Sequence, residues 1–457
     1  MGRRRMLVAS LITFVTWCNQ HPGAQVAPAG NSAATLFEGA RLIAGATGTA
    51  IEQSAFLVQD GKILRVGRAG QIAAPAGASR IDLAGKTVIP ALVSAHIHVG
   101  LLDGNDFGPH SYTQDKIVEH LQRYAYYGVG AVLSAGTDVG PLAFEIRTNQ
   151  PPGAARLLTA GRGMAALNGG PGMASIANTS FPITTVEEGR QRVREVAAHG
   201  VNAVKIWVDD RGGRVKKLTP DLYVPIIQEA HAHRLMALAH VYYLEDAHKL
   251  VDAGIDGFMH LVRDEVMDDE LIAKMKAKNV FAVPNMGGSR RATLTDPPDD
   301  YVTLLAETLP ADVVQQVRAS FKARETSAAA RARDTYDKMK RSLAKLNAAG
   351  ITLVLGGDTG IPAAWHGWAE QYELDTMADA GMTPAQVIVV STSTPARILK
   401  LADMGDLAPA KSADFVVLDA NPLENIANTR RISAVYLRGQ PIDRAGLRAR
   451  WTSQRTR

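Results

Sequence analysis

The chain has 457 residues, 46% apolar and 21% charged, with 50 Lys+Arg against 45 Asp+Glu and a single Cys. These values exclude a disordered chain, a multi-span membrane protein, a disulfide framework and a Cys-rich zinc site. The net charge of +5 sits at the ends: Arg3–Arg5 carry +3 and Arg430–Arg457 carry +7, leaving the body at −5. An acidic body argues against a nucleic-acid partner.

Arg3, Arg4 and Arg5 precede the apolar run Met6–Val15 and a Pro/Ala/Gly-rich stretch through Gly30. A basic segment before a short apolar run reads as a secretory signal over residues 1–27, cleaved near 22–30. The run is too short for a bilayer span, which needs about 20 residues. Arg3-Arg4-Arg5-Met6-Leu7 resembles a twin-arginine export signal, and bulky Trp17 before Cys18 argues against a lipoprotein site. The expectation is an exported protein, periplasmic or secreted, with no Cys and no stable membrane span after cleavage.

Residues 33–90 hold short alternating stretches around Leu36, Ala55–Val58, Ile63–Val66 and Ile81–Ile89, separated by Gly-containing turns such as Asp60-Gly61. A second β-like block lies in 400–445, at Asp414–Leu418 and Ile432–Leu437. The two blocks flank the middle of the chain and are expected to pair into one small β-sandwich domain. Between them, residues 91–399 alternate apolar runs with amphipathic helical stretches. The runs are 92–98, 130–137, 155–161, 202–208, 235–241, 257–261, 280–285 and 351–357. Gly128, Gly200, Gly254 and Gly350 each stand where a helix would stop before a strand. Eight such units predict an α/β fold with a (β/α)8 TIM barrel. The alternative is a doubly wound open sheet, against which the missing Gly-x-Gly-x-x-Gly counts. Segment 286–335 reads as an insertion and a lid over the C-terminal face, and 446–457 as a basic, solvated tail.

Six residues carry the chemistry. His96 and His98 are two apart on the first strand and face one side. Lys205 lies within the fourth strand, where a buried amine is costly unless paired or chemically changed. An ion pair with Asp209 or Asp210, or snorkelling from the strand end, is its plain reading, and carboxylation to a metal-bridging anion is the other. His240 and His260 end the fifth and sixth strands, where polar capping is the alternative. Asp358 ends the eighth, where it could cap the following helix. Their coincidence at the C-terminal strand ends, where barrel enzymes build their sites, favours a divalent ion such as zinc held without thiolate.

The order His96-x-His98, Lys205, His240, His260, Asp358 resembles the metal-dependent amidohydrolase superfamily, in its imidazolonepropionase-like and Xaa-Pro-type dipeptidase branch. Val88-Ile89-Pro90, Thr394–Leu399 and Lys411–Leu423 resemble the family's strand entry and C-terminal signature, while Ala91 and Ala410 stand where it usually has Gly. The resemblance implies a binuclear hydrolase with two divalent ions, zinc for preference. His96 and His98 would hold the first, His240 and His260 the second, and carboxylated Lys205 would bridge them. Asp358 would ligate the first ion and act as acid and base, while a bridging hydroxide attacks the amide carbon. Tyr242 is a candidate oxyanion donor and Arg263 a candidate for a substrate carboxylate, with packing and an ion pair to Asp264 or Glu265 as their plainer readings. The expected partner is a small-molecule amide: a dipeptide, an N-acyl amino acid or a relative. Cyclic amides, ureas, carbamates and lactones are alternatives, a non-catalytic binding relative is one of another class, and homo-oligomerisation is left open.

Overall fold

The computed structural model describes Gly2 and residues 34–453, Met173 excepted. The expected signal, Cys18 and the last four residues lie outside the described residues. Among the described residues no helix is long and apolar enough to cross a membrane.

Two sheets carry the early and late β segments. One has the order Lys62–Arg68, Ser54–Gln59, Thr35–Glu38, Ser79–Asp82. The other runs Gln440–Pro441, Ile432–Leu437, Phe415–Leu418, Thr87–Pro90, Arg41–Ile43, Ala50–Ile51. Antiparallel pairing of Phe415–Leu418 with Thr87–Pro90 joins the two ends of the chain. Alternation puts Phe37, Phe56, Phe415 and Val417 inward into one buried cluster. Phe37 stacks on Phe56 at 4.9 Å and meets Phe415 edge-on at 5.1 Å, arrangements that add to simple burial.

The middle of the chain is parallel β with helices between. Leu92–Ile97, Val129–Ser134 and Arg156–Thr159 form one sheet. Phe181–Ile183, Met164–Ala166, Ala203–Val208, Met236–Val241, Gly257–Phe258 and Phe281–Ala282 form another. All six residues of Leu92–Ile97, Val129–Ser134 and Ala203–Val208 are buried, as strands covered on both faces require. Seven of the expected runs thus contain strands. The eighth carries one parallel bridge, Ala282 to Leu353, with another, Ile97 to Thr359, two residues past its end, and Met164–Ala166 and Phe181–Ile183 were not foreseen. Gly128, Gly200, Gly254 and Gly350 all have φ between +71° and +91°, the left-handed turn that ends a helix without a Cβ penalty. The helix Val186–Ala198 starts on a Thr185/Glu188 capping box.

Segment 286–335 is largely helical. It forms the helices Gly287–Ala292, Asp299–Leu305 and Ala311–Lys322 and the start of Thr326–Ala349. Tyr301, Leu305 and Phe321 are buried in one cluster with Tyr127, Trp365, Trp368 and Trp451. Tyr127 Oη donates to Leu304 O and Trp368 Nε1 to Tyr301 O. The same cluster includes Leu102 and Trp365, on the segments that follow His98 and Asp358. The tail differs from expectation: Arg444–Ser453 is a helix whose Trp451 is fully buried under the Arg123 guanidinium at 4.5 Å.

Candidate active site

The first strand places His96 and His98 on one side, both buried. His96 Nδ1 donates to Met259 O at 2.9 Å, which leaves Nε2 as the lone-pair nitrogen. His98 Nδ1 meets Thr137 Oγ1 at 2.8 Å, and its Nε2 lies 3.2 Å from Asp358 Oδ1. His96 Nε2 is 3.6 Å from that same oxygen. Asp358 sits at φ +47°, a conformation held only where the surroundings over-determine it. Its N–H donates to His96 O, and the next residue's carbonyl accepts from His98 N–H. The acid is therefore pinned to the strand bearing both histidines, and the helix that follows is capped elsewhere, at Gly367.

Lys205 is 1% exposed, with Nζ 3.3 Å from His96 Nε2. It forms no ion pair with Asp209 or Asp210, so its plain reading fails. Gly136 makes the room: a Cβ there would lie 2.7 Å from Lys205 Cγ. Burial drives the amine down to about 7, although Asp358 pulls the other way. Asp209 instead accepts from His240 Nε2 at 2.9 Å and pairs with Arg211 at 3.1 Å, while Asp210 accepts from Tyr243 Oη. Donation through Nε2 makes His240 Nδ1 the lone-pair nitrogen. Burial opposes Asp209's ionisation, yet His240 and Arg211 hold it down at about 2.

One ligand atom each from His96, His260 and Asp358 lies within 4.8 Å of the others. The imidazole rings of His96 and His260 are 4.9 Å apart and those of His240 and His260 4.4 Å. Burial, joined by Lys205, pushes His96 well below 6.5, and burial with His240 does the same for His260. Burial resists the charge on Asp358, but His96 and His98 outweigh it and hold the carboxyl far below its usual range. Neutral imidazoles with an ionised carboxylate are the donor set that suits a divalent transition ion.

These groups open on a cavity of about 330 Å³ lined by Thr137, Trp207, Arg211, Arg214, Arg263 and Pro171, among others. Pro171 and Gly172 make the Gly-rich loop after the third strand part of the wall, and no residue of 286–335 lines it. Arg263 makes no ion pair with Asp264 or Glu265; one Nη donates to His260 Nδ1 at 2.7 Å and its Nε has no partner. Tyr242 is half-buried against Tyr243 and Arg263 and does not line the cavity. His366 is buried as well, stacked on His120 at 3.7 Å and donating to His98 O. Asp209, Asn285, Arg211 and Arg214 were not foreseen as site residues. Asp209 was findable as the residue four past Lys205 at a strand end, whereas Asn285, whose amide donates to Met259 O at 2.6 Å, gave no signal.

Residues 87–442 match the model of the amidohydrolase family. The chain belongs to that family. The amidohydrolase is 24% identical over 361 residues to an uncharacterised protein of Mycobacterium bovis, covering 78% of this chain and 85% of the relative. It is 46% identical to the adenine deaminase of Lactobacillus delbrueckii subsp. bulgaricus over only 64 residues, 14% of this chain and a tenth of the deaminase. Among solved structures it is similar to a protein assigned as a prolidase from Bifidobacterium longum (25% identity, 90% of this chain and 95% of that one, TM-score 0.71). A Xaa-Pro dipeptidase with bound methionine has 19% identity over 90% and 99% of the chains and the same TM-score. Phenylurea hydrolase B has 22% identity over 91% and 98%, again at 0.71. This amidohydrolase is a hydrolytic enzyme with a TIM-barrel-like α/β fold.

Proposed function

We propose that the amidohydrolase is an exported, binuclear metal-dependent enzyme that cleaves an amide bond in a small molecule carrying a carboxylate, such as a dipeptide or an N-acyl amino acid. The observation that carries this reading is the convergence of His96, His260 and Asp358 within 4.8 Å, beside a buried Lys205 that has no carboxylate partner. In it His96, His98 and Asp358 would hold one ion and His240 and His260 another, with Lys205, once carboxylated, as a ligand shared between them; zinc suits the set best. A closed eight-stranded barrel (91–399) with a β-sandwich (33–90 and 400–445) is the matching domain reading.

Two bound divalent ions would supply an acidified water and a polarised carbonyl. The chain's own residues do the rest. Asp358, ionised and pinned beside both first-strand histidines, accepts the nucleophile's proton and returns it to the leaving nitrogen. Asp209 orients His240 through Nε2. Arg263 supports the choice of substrate, because a guanidinium facing the cavity without a carboxylate partner is suited to bidentate capture of one. A ring nitrogen that accepts from Arg263 cannot also ligate an ion or carry a proton, so His260 acting as a ligand would leave that guanidinium free.

Phenylurea hydrolase B keeps ureas as a second substrate class. A screen of N-acyl amino acids, Xaa-Pro and Xaa-Arg dipeptides, aryl ureas, carbamates and lactones, with metal analysis of the same preparation, tests the reading. About two ions per chain with turnover of carboxylate-bearing amides supports it. No bound metal, or turnover confined to neutral ureas, overturns it. Export is tested by fractionating cells that express the full chain and its Arg4→Lys/Arg5→Lys form.

A further inference from the structure

The helix Trp368–Asp379 stands outside the site, yet it carries a fully buried carboxylate aimed at the segment bearing Asp358. Glu370 Oε1 accepts from Thr359 Oγ1 at 2.8 Å and from Ser94 Oγ at 3.2 Å, and Oε2 accepts from Gly367 N–H at 2.9 Å. Thr359 Oγ1 also meets Tyr124 Oη at 2.5 Å. Ser94 precedes His96 by two residues on the same strand, across a register irregularity, and Thr359 follows Asp358. A single carboxylate therefore grips both chains that carry the first half of the ligand set.

The backbone is cleared for this contact. A Cβ at Gly357 would lie 2.8 Å from Glu370 Oε1, and one at Gly356 would lie 2.8 Å from His96 Cβ. Asp358, at φ +47°, occupies a conformation that needs support from its neighbours. No lysine, arginine or histidine pairs with Glu370 among the described residues. A buried carboxylate is costly without a cation, and its hydrogen bonds all go to the Asp358 segment, the first strand and its own helix start.

We infer that Glu370 is a positioning residue, clamping Thr359 and Ser94 so that Asp358 is held in its strained backbone beside His96 and His98. The inference rests on Asp358 serving as acid and base. Glu370→Ala and Thr359→Val each remove one side of the clamp, the second with little change in volume. Each is expected to lower kcat about 10- to 100-fold, the scale of a misplaced group, with KM within about twofold. Glu370→Gln keeps an acceptor for Thr359 and Ser94 and is expected to stay within about threefold of the parent kcat.

The visible absorption of Co2+-loaded protein gives a readout independent of turnover. It should change in Glu370→Ala and Thr359→Val and return in Glu370→Gln. Unchanged kcat and spectrum in Thr359→Val and Glu370→Ala would overturn the clamp, as would a Glu370→Gln protein as impaired as Glu370→Ala. Full activity in Asp358→Asn would overturn the role of Asp358 instead, and the Co2+ spectra then decide on the clamp alone.

Discussion

His240 Nε2 donates to Asp209 Oδ2 at 2.9 Å, with both groups buried at the ends of adjacent strands. This carboxylate–imidazole pair fixes the ring's tautomer and orientation and leaves Nδ1 as the only nitrogen able to ligate. Asp209→Asn should lower metal affinity about 10- to 100-fold, the usual cost of losing such a partner. Competition against a chromophoric chelator measures it. Parent-like affinity would show that His240 is oriented by packing alone.

Arg263 provides a test of substrate charge. A hydrogen bond to a charged group contributes about 1.5–3 kcal/mol. Arg263→Met should therefore lower kcat/KM for an N-acyl amino acid by roughly 10- to 100-fold. The carboxamide analogue, which lacks the anion, should change little. Equal losses on both substrates would assign Arg263 to the upkeep of His260 rather than to recognition.

The candidate residues were legible as a group because each lies in or just past a buried apolar run, and period-two alternation and strand order bring such residues together whatever the loops do. Asp358 was legible as a residue but not in its strained backbone, which depends on Glu370, Thr359 and two glycines distant in sequence or silent in pattern. The plain reading of Lys205 failed because the acid nearest in sequence points elsewhere: Asp209 turns to His240 and Arg211. The packing of the insertion was not legible because its polar composition concealed Tyr301, Leu305 and Phe321, which find Trp365 and Trp368 from another part of the chain. Strand eight escapes assignment as a continuous strand because the residues between the two bridges turn into the Asp358 segment.

Ala410 stands where the family usually has Gly, and the backbone shows the consequence. Its φ is +70°, and its N–H donates to Ile63 O, so the turn cannot relax without losing a contact to the strand Lys62–Arg68. A Cβ in the left-handed region costs roughly 1–2 kcal/mol, partly offset by glycine's greater freedom in the unfolded chain. Ala410→Gly should raise stability by about 0.5–1 kcal/mol, read from the urea midpoint, with unchanged turnover. A lower midpoint would show that the methyl packs usefully.

Glu373 gives the enzyme a pH-dependent stability of definite sign. Its two oxygens accept from Met286 N–H at 2.9 Å and Gly287 N–H at 2.6 Å. Burial nonetheless raises its pKa from 4.5 to about 7. The folded state then binds the proton more tightly than the unfolded chain, so this group lowers stability as pH rises from 4.5 towards 7 and has no further effect above. Glu370, raised likewise to about 7, adds a slope of the same sign. Glu373→Gln should flatten the fall in urea midpoint between pH 5 and pH 7 without abolishing it. Parallel curves for the two proteins would refute the assignment.

Trp451 anchors the C-terminal helix Arg444–Ser453. The side chain is fully buried, with Arg123 over its ring at 4.5 Å and Tyr126 edge-on at 5.8 Å. Tyr126 also lies under the Arg444 guanidinium at 4.3 Å, so one aromatic pair ties down both ends of the helix. Replacing a buried Trp by Ala costs about 3–5 kcal/mol. A terminal helix can avoid that loss by detaching locally while the body stays folded. Trp451→Ala should therefore appear first as local opening: trypsin should cut at Arg448 and Arg450 under conditions in which the parent resists. The main urea transition should move less than the full Trp→Ala cost predicts. Equal resistance to trypsin in both proteins would mean that the helix is held by its arginine contacts, and would return Trp451 to a filling role.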